Sequence, residues 1–73
     1  MVDITYTAHA RQRMALRGIT DEMVRKAVKQ PDATATGYES RSLAYRRFSE
    51  GRIKVVYGEE AGEIVVITAM WED

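Results

Sequence analysis

The sequence predicts an α+β domain in which two N-terminal helices pack on an antiparallel sheet of three or four strands. Helical periodicity with capping residues covers residues 7–30, and after Pro31 the apolar residues alternate with a period of two. The links between the later segments are short, which favours antiparallel neighbours, because parallel strands need long crossovers. A helix layer on one sheet face then completes a single domain over residues 1–73.

The first helix is predicted to follow a short N-terminal strand or arm. Thr7 is a typical N-cap, good helix formers continue to Arg17, and Gly18 stands where a left-handed C-cap residue belongs. One face of this helix combines apolar and ionisable residues, namely His9, Ala10, Arg13, Met14 and Arg17. Such a face is unusual for a purely structural core stripe.

The second helix is predicted to begin after the N-cap Thr20 and to end near Gln30, because Pro31 disfavours helix in the residue before it. Its apolar arc consists of Met23, Val24, Ala27 and Val28, and its basic residues lie outside that arc. This helix therefore packs on the sheet with one side and shows solvent a basic side.

The strands are predicted from alternation and from turn residues. The candidate strands are Ala33–Tyr38, Leu43–Phe48, Arg52–Tyr57 and Glu63–Trp71, with turns over Ser49–Gly51 and Gly58–Gly62. In the third of these, Ile53, Val55 and Tyr57 share one face and Arg52, Lys54 and Val56 share the other. The last strand is apolar throughout, which predicts an interior position covered on both faces.

Composition excludes several function classes. The chain has no cysteine and one histidine, so it offers no disulfide, no cysteine-ligated metal and no multi-histidine site within one chain. It has no apolar run long enough to span a membrane and no signal-peptide pattern at its start. We therefore expect a cytoplasmic protein without a metal, a cofactor or a membrane partner.

The charge is balanced overall but unevenly distributed. The formal net charge is zero, with +3 over residues 1–30, −2 over 31–39, +4 over 40–57 and −5 over 58–73. Eight of the eleven basic residues are arginines, which suit bidentate contact with phosphate or carboxylate. A neutral total argues against non-specific coating of DNA but permits a local basic surface.

Three motifs resemble a family of domains of unknown function, DUF4258. The opening Tyr6-Thr7-Ala8-His9-Ala10, with Arg13-Met14 and Arg17-Gly18-Ile19-Thr20, is similar to the family pattern S/T-x-H-A-x-x-R-M-x-x-R-G-I. Residues 51–57 and 64–68 resemble its later strands. The family is distantly similar to RelE/ParE toxins and their BrnT branch. That resemblance implies two helices before an antiparallel sheet, an antitoxin partner, and action on messenger RNA or DNA gyrase.

If the protein is an enzyme, we expect a metal-independent endoribonuclease with His9 as the base. Histidine ordinarily changes charge near neutral pH and can take the proton of an attacking 2′-hydroxyl. Arg13, Arg17 and Arg47 are the candidate phosphate clamps. The alternatives are a structural histidine bonded to a strand, and a clamp between helix and sheet that Arg13 and Arg17 form through Glu63, Asp32 or the C-terminal carboxylates.

The strands also carry candidate nucleic-acid contacts. A hairpin around Gly51 would place one of Arg46 or Arg47 on the same face as Arg52 and Lys54. Tyr45 and Trp71 are candidate platforms for base stacking. The alternatives are the solvated face of an antiparallel sheet for the cations and core packing for the aromatic rings.

Three functions remain open from the sequence. The first is a toxin–antitoxin-type protein that binds or cleaves RNA through a basic sheet face. The second is a noncatalytic module that binds a nucleic acid or a protein. The third is a structural domain that forms a homodimer through its apolar C-terminal strand, because exposed sheet edges favour pairing with another chain.

Overall fold

A computed structural model describes residues 3–72 and shows an α+β domain with a five-stranded sheet. The elements in chain order are β1 (Ile4–Tyr6), α1 (Ala8–Arg17), α2 (Asp21–Lys29), β2 (Ala33–Thr36), β3 (Ser42–Phe48), β4 (Gly51–Glu60) and β5 (Glu63–Trp71). The sheet order is β1-β5-β4-β3-β2. The helix α1 packs on β5 and β1, and α2 packs on β3 and β4. Within the described residues, neither helix is long and apolar enough to cross a membrane.

Both helices begin and end at the capping residues that the sequence predicts. The Thr7 side chain accepts a hydrogen bond from the Ala10 amide at 3.0 Å, and the Thr20 side chain accepts one from the Met23 amide at 3.2 Å. Gly18 adopts a left-handed φ of 68°, which ends α1 without the penalty that a Cβ would add. These caps fix a three-residue link between the helices, residues 18–20.

The sheet has one strand more than predicted, and it is mixed rather than antiparallel. The short arm before α1 forms β1, which pairs in parallel with β5 through Ile4 and Ile64. The predicted three or four antiparallel strands are therefore wrong in number and, for β1, in direction. The two helices carry the chain from one edge of the sheet to the other, so β1 meets the last strand. No local pattern in three residues can report a partner about 60 residues away.

The β4–β5 hairpin is tighter than predicted. The turn was expected over residues 58–62, but β4 continues to Glu60, and only Ala61 and Gly62 form the loop. Both loop residues have positive φ, 51° and 80°, as a two-residue hairpin with the right twist requires. Farther along β5, an extra residue at Ile67 interrupts the register, and the Thr7 hydroxyl donates to its carbonyl oxygen at 3.3 Å.

The core lies between the helices and one face of the sheet. Its buried residues are Ile4, Ala10, Met14, Ile19, Val24, Ala27, Ile53, Val55, Val66 and Ala69. The strand β5 is interior, as expected, but the helices cover only one of its faces. The prediction that both faces are covered is therefore wrong. The uncovered face of the sheet, here called the open face, presents half-buried side chains such as Val56 and Met70.

Candidate functional site

The open face carries a compact group of cations and one aromatic ring on β3 and β4. Arg47 pairs with Arg52 and Tyr45 pairs with Lys54 in adjacent cross-strand positions. Ile53 is fully buried beneath the helices, so its neighbours in β4 point the opposite way. We call Tyr45, Arg47, Arg52 and Lys54 the basic patch.

Contacts restrain two cations of the basic patch, whereas the third, Arg47, is exposed. The guanidinium carbon of Arg52 lies 4.6 Å from the centre of the Tyr45 ring, a cation–π contact. Lys54 Nζ lies 3.8 Å from a Glu72 carboxylate oxygen, a long ion pair that a phosphate can replace. The backbone amide of Arg47 donates to Asp32 Oδ2 at 2.7 Å, which fixes β3 while the Arg47 side chain stays exposed.

Arg46 lies on the other face of the sheet. Its register partner is Ile53, and its Nη1 donates to the Gln30 carbonyl oxygen at the end of α2, at 2.6 Å. Its Nε is buried and has no hydrogen-bond partner among residues 3–72. The sequence left open which of the two arginines joins Arg52 and Lys54, and the structure brings Arg47 there and turns Arg46 toward α2.

Trp71 also lies on the helix-covered face, away from Tyr45. It pairs with Ile53 across β4 and β5, and its indole Nε1 donates to the Arg17 carbonyl oxygen at 2.7 Å. The ring packs against the core and satisfies a carbonyl at the end of α1. The two predicted stacking platforms therefore do not share a surface.

The candidate residues of α1 are separated from Arg47 by the sheet. His9 is exposed and Arg13 is half-buried, one helical turn apart. Arg17 Nη1 donates to the Ala69 carbonyl oxygen at 2.9 Å, so this arginine does tie helix to sheet, through the backbone rather than through a carboxylate. Because α1 lies on the covered face, His9, Arg13 and Arg17 form one group and Arg47 belongs to another.

Tyr6 is a half-buried residue with a buried hydroxyl, and the sequence reasoning did not single it out. Its hydroxyl is buried without a hydrogen-bond partner in the described part of the chain, and the Arg11 guanidinium lies 4.1 Å from its ring centre. Arg11 in turn donates to Asp21 Oδ1 at 2.7 Å. Burial, and secondarily the negative charge of Asp21, raise the pKa of the Tyr6 hydroxyl above its usual 10.0. The sequence signal that could have singled out Tyr6 is its place at the start of the motif Tyr6-Thr7-Ala8-His9-Ala10.

We expect Tyr6→Phe to raise the free energy of unfolding and to reduce the loss of stability at alkaline pH. Removing a buried hydroxyl that lacks a partner removes a desolvation cost of about 1 kcal/mol or more. Because the pKa of the hydroxyl is raised in the folded state, its ionisation favours unfolding, so the protein with Tyr6 keeps a constant stability below pH 10 as far as this group is concerned and loses stability progressively as the pH rises above it. Urea titrations at pH 8 and pH 11 measure both effects. Tyr38→Phe, at a 93% exposed ring, is the control, and equal pH dependence in the two variants would contradict this account.

The model of the family described as Domain of unknown function (DUF4258) matches residues 6–71, nearly the whole chain. The chain belongs to this family. No curated protein and no solved structure matches it.

The DUF4258 motif maps onto the contact between α1 and the sheet. Its residues supply the N-cap Thr7, the buried Ala10 and Met14, and the C-cap Gly18. The motif therefore has a structural role in this chain at most of its positions. His9 is the motif residue whose side chain is left exposed on α1 without a hydrogen bond within residues 3–72.

Proposed function

We propose that this DUF4258 domain is a toxin–antitoxin-type protein that binds RNA through the open face of its sheet. The observation that carries the proposal is the basic patch, where three cations and an aromatic ring occupy adjacent positions on an uncovered sheet. The sequence resemblance to RelE/ParE and BrnT toxins supports it, and we propose that the helix pair and β2–β5 correspond to their fold.

The chemistry of the patch suits a phosphate backbone beside a base. Arginine presents a planar fork that matches phosphate oxygens, and aromatic rings stack on unpaired bases. Three cations predict a modest, salt-sensitive affinity, since each phosphate contact on a single strand contributes roughly 0.7 to the salt slope. Because the whole chain has no net charge, the attraction must come from this local arrangement.

Binding at this face is better supported than cleavage by the predicted catalytic set. His9 and Arg47 lie on opposite sides of the sheet and cannot act on one phosphate from these positions. Ribonuclease activity that uses only residues of α1 remains a prediction, with His9, Arg13 and Arg17 as the catalytic residues. Cleavage by the purified protein that His9→Ala abolishes would support it.

We expect Arg47→Ala/Arg52→Ala to lower the affinity for a short single-stranded RNA by about tenfold or more at low salt. It should also lower the salt slope by roughly 1.4, because two phosphate contacts are lost. Fluorescence anisotropy over a salt series measures both. The matched control is Arg25→Ala/Lys29→Ala, which removes the same charge from the exposed side of α2. Equal losses in both double variants, or no loss in the first, would overturn the proposal.

A noncatalytic protein-binding function is the second candidate. Apolar side chains on the open face, including Leu43, Val56 and Met70, lie beside the basic patch and are half-buried without a covering layer. An antitoxin or a second copy could cover them. Sedimentation equilibrium tests the homodimer: a concentration-dependent mass that Val56→Asp abolishes would favour it over RNA binding.

A further inference from the structure

A groove on the open face continues directly from the basic patch. It encloses about 530 Å³ and has an apolar floor made by Leu43 and Val56, which pair across β3 and β4. Lys54 belongs both to the groove and to the patch, and Arg41 lies on the groove's lining as a second cation. The groove thus combines an apolar surface with two cations, each in a long ion pair: Lys54 with Glu72 at 3.8 Å and Arg41 with Glu39 at 3.9 Å.

The loop between β2 and β3 adds an aromatic ring to this groove. Tyr38 lines it and is 93% exposed. Two backbone hydrogen bonds close the loop, from the Gly37 amide to the Arg41 carbonyl oxygen at 2.8 Å and from the Arg41 amide to the Tyr38 carbonyl oxygen at 3.1 Å. The ring is therefore presented to solvent by an ordered turn rather than by a free chain.

The same loop contains backbone strain. Glu39 and Ser40 have φ values of 58° and 63°, two consecutive left-handed residues of which neither is glycine. Such conformations are costly and cluster at functional sites. An exposed aromatic ring held beside an apolar groove by a strained turn is an arrangement suited to stacking a flat ligand.

We propose that this groove holds one unpaired nucleobase, stacked on Tyr38, so that the ligand is single-stranded RNA. The inference rests on the proposed RNA binding and names its substrate class. The base contacts Tyr38 and the apolar floor, while Lys54 and Arg41 contact the flanking phosphates. A duplex cannot use the groove, because its bases are stacked and paired inside the helix.

The test uses a short single-stranded RNA of mixed sequence with 2-aminopurine at its centre, and the same RNA annealed to its complement. We expect the single strand to bind more tightly and its fluorescence to change on binding. Tyr38→Ala should lower that affinity roughly five- to 100-fold, and Tyr38→Phe should retain it. Leu16→Ala is the control, because Leu16 is the other exposed large apolar residue among residues 3–72 and lies on α1.

The outcomes separate this inference from the proposed function. If Tyr38→Ala binds like the unaltered protein while Arg47→Ala/Arg52→Ala is weakened, the groove is not a base site and RNA binding stands. A duplex that binds as tightly as the single strand also overturns the inference. If neither RNA binds, both proposals fail. Because Tyr38 packs on nothing in the core, loss of folding does not confuse the result.

Discussion

Trp71→Ala is expected to lower the free energy of unfolding by about 3 kcal/mol. The substitution removes a large ring packed at the edge of the core and leaves the Arg17 carbonyl oxygen without its indole donor. A domain of this size has a total stability of roughly 4–11 kcal/mol, so the loss is a large fraction of it. Urea denaturation followed by circular dichroism measures the change.

Two further variants separate packing from other roles of Trp71. Trp71→Phe keeps most of the ring and loses the hydrogen bond, which should cost about 1 kcal/mol. Met70 is the neighbour of Trp71 in sequence but lies on the open face, so Met70→Ala should lower the free energy of unfolding less than Trp71→Ala does. Under the RNA binding that we propose, Trp71→Phe should leave the affinity for single-stranded RNA unchanged, and a weakened affinity without lost stability would place this ring in the proposed binding surface instead.

Val55→Ala and Val56→Ala form a matched pair that tests which face of the sheet the helices cover. Val55 is fully buried, and its truncation should cost about 2–3 kcal/mol, from lost burial and from the cavity left behind. Val56 is its neighbour on the open face, and the same truncation should cost under about 1 kcal/mol.

Thermal denaturation distinguishes the two variants. In a domain of this length, 1 kcal/mol corresponds to a Tm change of roughly 4–8 °C. The Tm of Val55→Ala should therefore fall by roughly 10–20 °C, well beyond that of Val56→Ala. Equal changes would mean that another layer, such as a second copy, covers the open face.

Local signals in the sequence determined where the helices begin and end and which residues of a strand point to the same face of the sheet. The helices α1 and α2 begin and end where capping chemistry requires, at the positions marked by Thr7, Gly18, Thr20 and Pro31. These signals are local because a cap acts within one turn of the chain. Alternation likewise grouped Ile53 with Val55 and, on the other face, Arg52 with Lys54, since the side chains of a strand alternate whatever it pairs with.

Pairing across the fold decided the rest. Only the register of β3 against β4 shows that Arg47, and not Arg46, joins the basic patch. Only the side on which the helices pack separates His9 from Arg47 and turns Trp71 toward α1. Likewise, β1 becomes a parallel edge strand because the helices carry the chain to the far edge of the sheet and the strands β2 to β5 return it to β1. Such contacts join residues far apart in sequence, so local periodicity establishes the elements and tertiary packing establishes which of their side chains can act together.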